Sequence, residues 1–306
     1  MGIAAMRIAG HTMGVPEHTL PEAIELFASI GLEGIEIIWD DEYKCALRKG
    51  AAAGELAELR RRLRDHDLRL SCLTPYMTGI DSLDPVARRR DVEDFRRCID
   101  TAGILGAECI RVYGGAYQPA EDRARRAQLE EVLVESLITL GAAAAQTGVI
   151  LAVETHFNTL TCSAAETASL VRRVGHPNVR VLYDQPNLEF SEGEKYPEAL
   201  RLLEGLIAMV HVKDLVYKEG ASGGFKSSQV VTVDESERRV SSRIPGEGIV
   251  PWPEILPALA AQGYGGWLSL EYERRWHPYD LPPAGEGMKR GFEYMKRLLA
   301  GLEPAE

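Results

Sequence analysis

Glu154 ends an apolar run, LAVE, with His156 two places further on, and three other strand-like runs also finish on metal-binding residue types. They are VRVLYD, ending on Asp184, MVHVKD, carrying His211, and WLSLEYE, carrying Glu271. Three carboxylates and one imidazole form an oxygen-rich donor set, suited to one divalent ion: Mn²⁺ first, with Mg²⁺, Co²⁺, Fe²⁺ or Zn²⁺ also accommodated. Such a set carries a charge of about −3 without an ion and about −1 with one, so the ion makes its burial tolerable. Singly, each residue has a plainer use. An aspartate at a strand end caps the next helix, a lone strand histidine is satisfied in the core, and glutamate is common at surfaces. Four ligand types at four successive strand ends favour the joint reading.

The four candidates are separated by 30, 27 and 60 residues. One strand with its crossover helix consumes about 30 residues, so the spacing places one ligand in each βα unit. The surplus in the last gap lies in the Gly/Ser-rich, charged stretch from Val216 to Arg243, which reads as an enlarged loop after strand 7. Before the first ligand, strand runs appear at MRIAG, GIEIIWD, LRLSCLTPYM and ECIRVYGG. Helical periodicity separates them at 16–31, 55–66, 85–105 and 120–146. Helices are also expected at 163–174, 196–206, 252–262 and 287–302. Eight strands alternating with eight helices predict an α/β fold, a (β/α)8 TIM barrel forming a single domain over 1–306, with the site at the C-terminal rim. No phosphate-binding glycine fingerprint follows the first strand, and RVYGGAY has the wrong spacing.

The period of two along a strand assigns faces. If Glu154 points inward, so do Ala152 and His156, while Leu151 and Val153 face the helices. His211 then shares its face with Met209 and Lys213, and Glu271 with Ser269 and Glu273. Arg111 and Glu36 are further inward candidates, read either as an internal ion pair or as substrate contacts.

Composition narrows the function. A net charge of −11 gives no basic footprint for nucleic acid. No apolar run reaches the ~18 residues that would span a membrane, and MGIAAMRIAG lacks the regions of a signal peptide. A cytoplasmic enzyme is expected, and a homo-oligomer is compatible with the composition. Five cysteines without CxxC spacing read as reduced, mostly buried thiols.

VETH, YDQPN, HVKD, RIPGEGIVPWPEILPALAAQGYGGWLSLEYE and the order Glu, Asp, His, Glu together resemble the xylose isomerase-like TIM barrels, the sugar phosphate isomerase/epimerase superfamily. The resemblance covers most of the chain and is strongest from Val149 to Glu273. It implies that Glu154, Asp184, His211 and Glu271 bind one divalent metal, and that Glu154 and Glu271 also serve as catalytic acid and base. Ketose 3-epimerases, hydroxypyruvate isomerases, inosose and dehydroshikimate dehydratases and endonuclease IV share this framework. Two departures stand out. Ketose 3-epimerases carry a histidine three residues after the metal aspartate, where this chain has Asn187, and the extra strand-end histidines of endonuclease IV are missing.

The implied substrate is a small-molecule carbohydrate, a keto-sugar or related polyol-derived carbonyl compound. Polarising its carbonyl acidifies the neighbouring C–H, a carboxylate removes that proton, and the enediolate is stabilised by nearby positive charge. Lys213 is the candidate cationic donor, unless it forms a rim salt bridge with Asp214 or Glu273. His156 and Asn158 are positioned for sugar hydroxyls, Asn187 sits where the epimerases have histidine, and Arg243 could reach a distal hydroxyl or carboxylate. Trp39, Tyr113 and Trp276 are candidate apolar walls, and His11, His277 and the long loop could close over the substrate. Gly246 and Gly248 are expected to allow a tight turn. Epimerase or isomerase chemistry is the first expectation, dehydration the alternative, and a sugar-binding barrel without turnover a third.

Overall fold

The computed structural model describes residues 5–115, 123–191, 193–218 and 238–302. Eight parallel strands close into a barrel. They are β1 (Arg7–His11), β2 (Gly34–Trp39), β3 (Arg69–Pro75), β4 (Cys109–Val112), β5 (Ile150–Glu154), β6 (Val179–Tyr183), β7 (Ile207–Val212) and, after an added antiparallel ribbon of β8 (Asp214–Tyr217) and β9 (Val240–Arg243), β10 (Trp267–Leu270). The ring closes where Arg7–Gly10 of β1 pair with Trp267–Leu270 of β10. The α/β barrel predicted from the alternation of elements is therefore the observed fold.

Around it run α1 (Leu20–Ile30), α2 (Ala53–Asp65), α3 (Pro85–Leu105), α4 (Arg123–Thr147), α5 (Ala164–Val174), α6 (Gln185–Phe190), α7 (Glu198–Leu202), α8 (Trp252–Ala261) and α9 (Ala284–Ala300). Local chemistry sets their limits. Thr19 and Glu22 form a capping box at the start of α1, while Asp84 and Ser163 cap α3 and α5 through their side chains. Gly31, at φ +93°, ends α1 in the left-handed region, where a side chain would be strained.

Two elements differ from expectation. The helix anticipated at 196–206 is only α7, and α6 begins directly after β6 because Asp184 caps it and Pro186 occupies its first turn. The enlarged loop has an ordered base: Asp214 pairs with Arg243 and Tyr217 with Val240, so the stretch starts and ends as a ribbon. Residues 219–237 of that stretch lie outside the described part.

The barrel interior has two chemically distinct ends. Its N-terminal end holds a buried plug of Ala9, Cys72, Cys109, Ala152, Leu182, Met209 and Trp267. Below it Arg7 stacks on Trp267 at 4.0 Å and grips the Glu108 carboxylate with two guanidinium nitrogens. Leu151 and Val153 instead join the core between sheet and helices, as the period-two reading required. All five cysteines are free thiols, four of them buried.

Candidate metal centre

At the C-terminal end the strands deliver charged groups to one point. One ligand atom each from Glu154, Asp184, His211 and Glu271 lies within 4.8 Å of the others, and all four residues are buried. His211 is central. Its Nδ1 stands 3.2 Å from Glu154 Oε1, 3.3 Å from Glu271 Oε2 and 3.6 Å from Asp184 Oδ2. Asp184 divides its carboxylate between two tasks: Oδ1 accepts the Asn187 N–H at the start of α6, and Oδ2 faces the cluster. Buried Oδ2 accepts no aligned hydrogen bond, although Lys213 Nζ is 3.0 Å away. A buried carboxylate oxygen without a hydrogen bond costs free energy, and an oxygen-rich set around it suits a divalent ion.

Each carboxylate has a cation beside it. Arg111 Nε donates to Glu154 Oε2 at 2.6 Å, and its Nη2 forms an ion pair with the same oxygen. Lys213 Nζ lies 2.7 Å from Glu271 Oε2 and 3.2 Å from Glu273 Oε1. Lys213 does not pair with Asp214. That carboxylate instead accepts the backbone N–H groups of Leu215, Gly246, Gly248 and Val250, fastening the turn after β9 to the start of β8. Gly246 adopts φ +93° there, and a Cβ on Gly248 would sit 2.1 Å from Asp214 Oδ1, so both glycines serve this turn. Arg111 and Glu36, considered as partners of each other, attach to Glu154 and His211 respectively.

Charge follows from these contacts. Burial alone would raise the Glu154 carboxyl, yet Arg111, with His156 and His211, holds it down at about 2. Asp184 goes the other way, pushed up to about 6 by burial despite the pull of Lys213. Burial opposes charge on His211, but Glu271, Glu36, Asp184 and Glu154 keep it protonated well above the ordinary histidine range. Burial lowers His156 against the pull of Glu154.

The remaining sequence candidates fall into three groups. Asn187, Lys213, His156 and Tyr113 are at the cluster. Asn187 Nδ2 donates to Thr155 O at 3.1 Å and reaches Glu154 Oε1 at 3.4 Å, while its Oδ1 accepts from Lys213 at 3.1 Å. His156 packs edge-on against Tyr113 at 5.0 Å, and the Arg111 guanidinium lies 5.6 Å from the Tyr113 ring centre. His11 is buried with its ring 6.0 Å from that of His211. Asn158 is buried in the loop after β5 at φ +56°, and Arg243 lines a cleft with Lys213, Ser242, Glu271 and Glu273. Trp39 is wholly buried in the core between sheet and helices, and Trp276 donates to Met13 Sδ at 3.0 Å. Sequence reasoning overlooked Thr74 and Tyr76: Thr74 hydrogen-bonds Glu36, and Tyr76 lies 5.7 Å from the Arg111 guanidinium.

A closed parallel barrel with charged side chains gathered at its C-terminal rim defines an (α/β)8 barrel with a buried centre suited to a divalent metal ion. Residues 24–298 match the xylose isomerase-like TIM barrel family, and the chain belongs to it. It is 29% identical over 264 residues to the rhizopine catabolism protein MocC of Rhizobium meliloti, covering 85% of this chain and 72% of that one. It is 27% identical over 144 residues to inosose dehydratase of Geobacillus thermodenitrificans, a match spanning 47% of each chain, about half their length. Its fold also matches a solved D-psicose 3-epimerase, with a TM-score of 0.74, 21% identity and coverage of 97% of this chain and 100% of that one.

Proposed function

We propose that the protein is a divalent-metal-dependent isomerase or epimerase of a keto-sugar or related polyol-derived carbonyl compound. Glu154, Asp184, His211 and Glu271 would hold the ion, and its oxygen-rich donor set favours Mn²⁺. When bound, the ion supplies positive charge that polarises a substrate carbonyl. The observation that carries this reading is the presence of two glutamates in one buried cluster, more than a binding site alone requires. Glu271 is the more open of the two: its Oε2 is engaged by Lys213, and its Oε1 has no hydrogen-bond partner among the described residues. We assign Glu271 and Glu154 the removal and return of the substrate proton. Lys213 supplies a fixed positive charge for the developing enediolate oxygen, and Asn187 and His156 contact hydroxyls.

Dehydration is the second reading. Lys213 could give a proton to a departing hydroxyl, Asn187 replaces the epimerase histidine, and the likeness to inosose dehydratase points the same way. The test is a set of keto-sugars and inososes incubated with protein and Mn²⁺ in D₂O and followed by NMR. Deuterium uptake without loss of water supports isomerisation or epimerisation. Loss of water with a new conjugated absorbance supports dehydration. Absence of exchange with every compound overturns both in favour of a binding protein.

A further inference from the structure

Glu36 belongs to none of the four proposed ligands, yet it is fully buried at the centre of the barrel with donors converging on it. Both of its oxygens lie 3.2 Å from His211 Nε2. The Ser269 hydroxyl donates to Oε2 at 2.6 Å and the Thr74 hydroxyl to Oε1, from the opposite side. His11 adds a further group. Its Nδ1 accepts the Met13 N–H at 3.0 Å, so the neutral ring carries its proton on Nε2, which lies 3.5 Å from Glu36 Oε1. Elsewhere β2 reads Gly-Ile, then Ile-Ile-Trp, so this carboxylate is the one charged group on an otherwise apolar strand.

We propose that Glu36 is the positioning residue of the metal centre: it holds the His211 ring with its proton on Nε2, leaving the Nδ1 lone pair for the ion. This rests on the reading of the cluster as a metal site. The reasoning is one of donors and acceptors. Glu36 is clamped by two hydroxyl donors and can offer the imidazole only lone pairs. An imidazole with its proton on Nδ1 would set its Nε2 lone pair against both carboxylate oxygens at 3.2 Å while pointing an N–H at the ion. The alternative tautomer turns both conflicts into favourable contacts. A carboxylate behind a metal-binding imidazole also raises the basicity of the ligating nitrogen.

The test is Mn²⁺ binding by calorimetry, independent of any substrate, with circular dichroism to verify the fold of each variant. Glu36→Gln keeps an oxygen for the Nε2 proton but removes the charge, and it should weaken Mn²⁺ binding by roughly 10- to 100-fold. In a His211→Ala background the same change should alter affinity by less than about threefold, because the residue through which Glu36 acts is gone. Equal weakening in both backgrounds, or none in either, overturns the proposal. Should Glu36→Gln fail to fold, ¹⁵N NMR of histidine-labelled wild-type protein with diamagnetic Mg²⁺ or Zn²⁺ reads the tautomer directly. Protonation of His211 at Nε2 in the metal-bound state supports it, and protonation at Nδ1 overturns it while leaving the metal site standing. Wild-type protein that binds no divalent ion overturns both readings.

Discussion

A divalent ion held as proposed by the Glu154, Asp184, His211 and Glu271 cluster should be lost on acidification in proportion to the protons it must displace. In the metal-free protein His211 is held protonated well above its ordinary value by the surrounding carboxylates, against the opposing effect of burial. An ion ligated through Nδ1 requires that nitrogen to be bare, so at any pH below the raised value each ion bound expels one proton. The dissociation constant should therefore rise about tenfold for each unit of acidification, or about 1.4 kcal/mol per unit. Asp184, pushed up to about 6 by burial, adds a second proton below that pH, and the slope should steepen toward about a hundredfold per unit. Glu154, held at about 2, contributes nothing between pH 5 and 8.

The assay is Mn²⁺ calorimetry between pH 5 and 8 in buffers of different ionisation enthalpy, which counts protons released. About one should leave at pH 7.5 and nearly two at pH 5. The same shifts bear on folding, with opposite signs. His211, raised when folded, contributes stability that is complete below 6.5 and is lost only as pH climbs through its folded value. Asp184 is raised from 3.8 to about 6, so the metal-free fold should lose on the order of 3 kcal/mol as pH rises across that window. Glu154, depressed from 4.5 to about 2, contributes stability that is present above 4.5 and lost below it. A dissociation constant independent of pH, with no proton released, would refute this account of the site's charge.

Substitutions at four positions examine other features. His211→Ala removes the one nitrogen donor of the cluster and should sharply lower Mn²⁺ content by elemental analysis; full retention would show that another group binds the ion. Glu154→Gln and Glu271→Gln keep an oxygen for coordination but cannot accept a proton, so each should lose roughly 10²- to 10⁴-fold in turnover while retaining some metal. Near-normal turnover in either metal-loaded variant would end the two-carboxylate mechanism. Asp214→Ala strands four backbone N–H groups at the turn after β9 and should cost about 3 kcal/mol or more in a denaturant melt, with Asp214→Asn losing less. An unchanged midpoint would mean that water replaces the carboxylate there.

The barrel and the four clustered residues were legible because a parallel strand ends where its ligand sits, and the βα unit repeats at a nearly constant length. The inward face was readable too, since Ser269, Glu271 and Glu273, or Met209, His211 and Lys213, share one side of a period-two strand. What escaped was pairing across the ring. The contact between Glu36 and His211 joins residues 175 positions apart, and that between Ser269 and Glu36 spans 233, distances over which spacing carries no signal. The short α6 was hidden for another reason. Asp184 reads as a strand-end ligand or as a helix cap, and in the structure Oδ1 caps α6 while Oδ2 faces the cluster.

That double use explains how so acidic a centre is built into a stable fold. Each acidic oxygen that faces the cluster belongs to a side chain also fixed elsewhere: Asp184 by the first turn of α6, Glu154 by Arg111, Glu271 by Lys213. Lys213 is itself held by Asn187 and Glu273, and Glu273 accepts a hydrogen bond from Ser242 at the base of the ribbon. Arg111 and Lys213 offset part of the carboxylate charge, while the apolar plug and the Arg7–Glu108 pair close the opposite end of the barrel. The rim can be arranged for chemistry because the other end secures the barrel. The same arrangement sets Lys213 against two of the carboxylates proposed to hold the ion. An ion held by Glu271 and Asp184 would weaken their hold on its ammonium, which stands 2.7 Å and 3.0 Å from them. Its charge would then have less to neutralise within the protein and more to offer the proposed substrate oxygen at the rim.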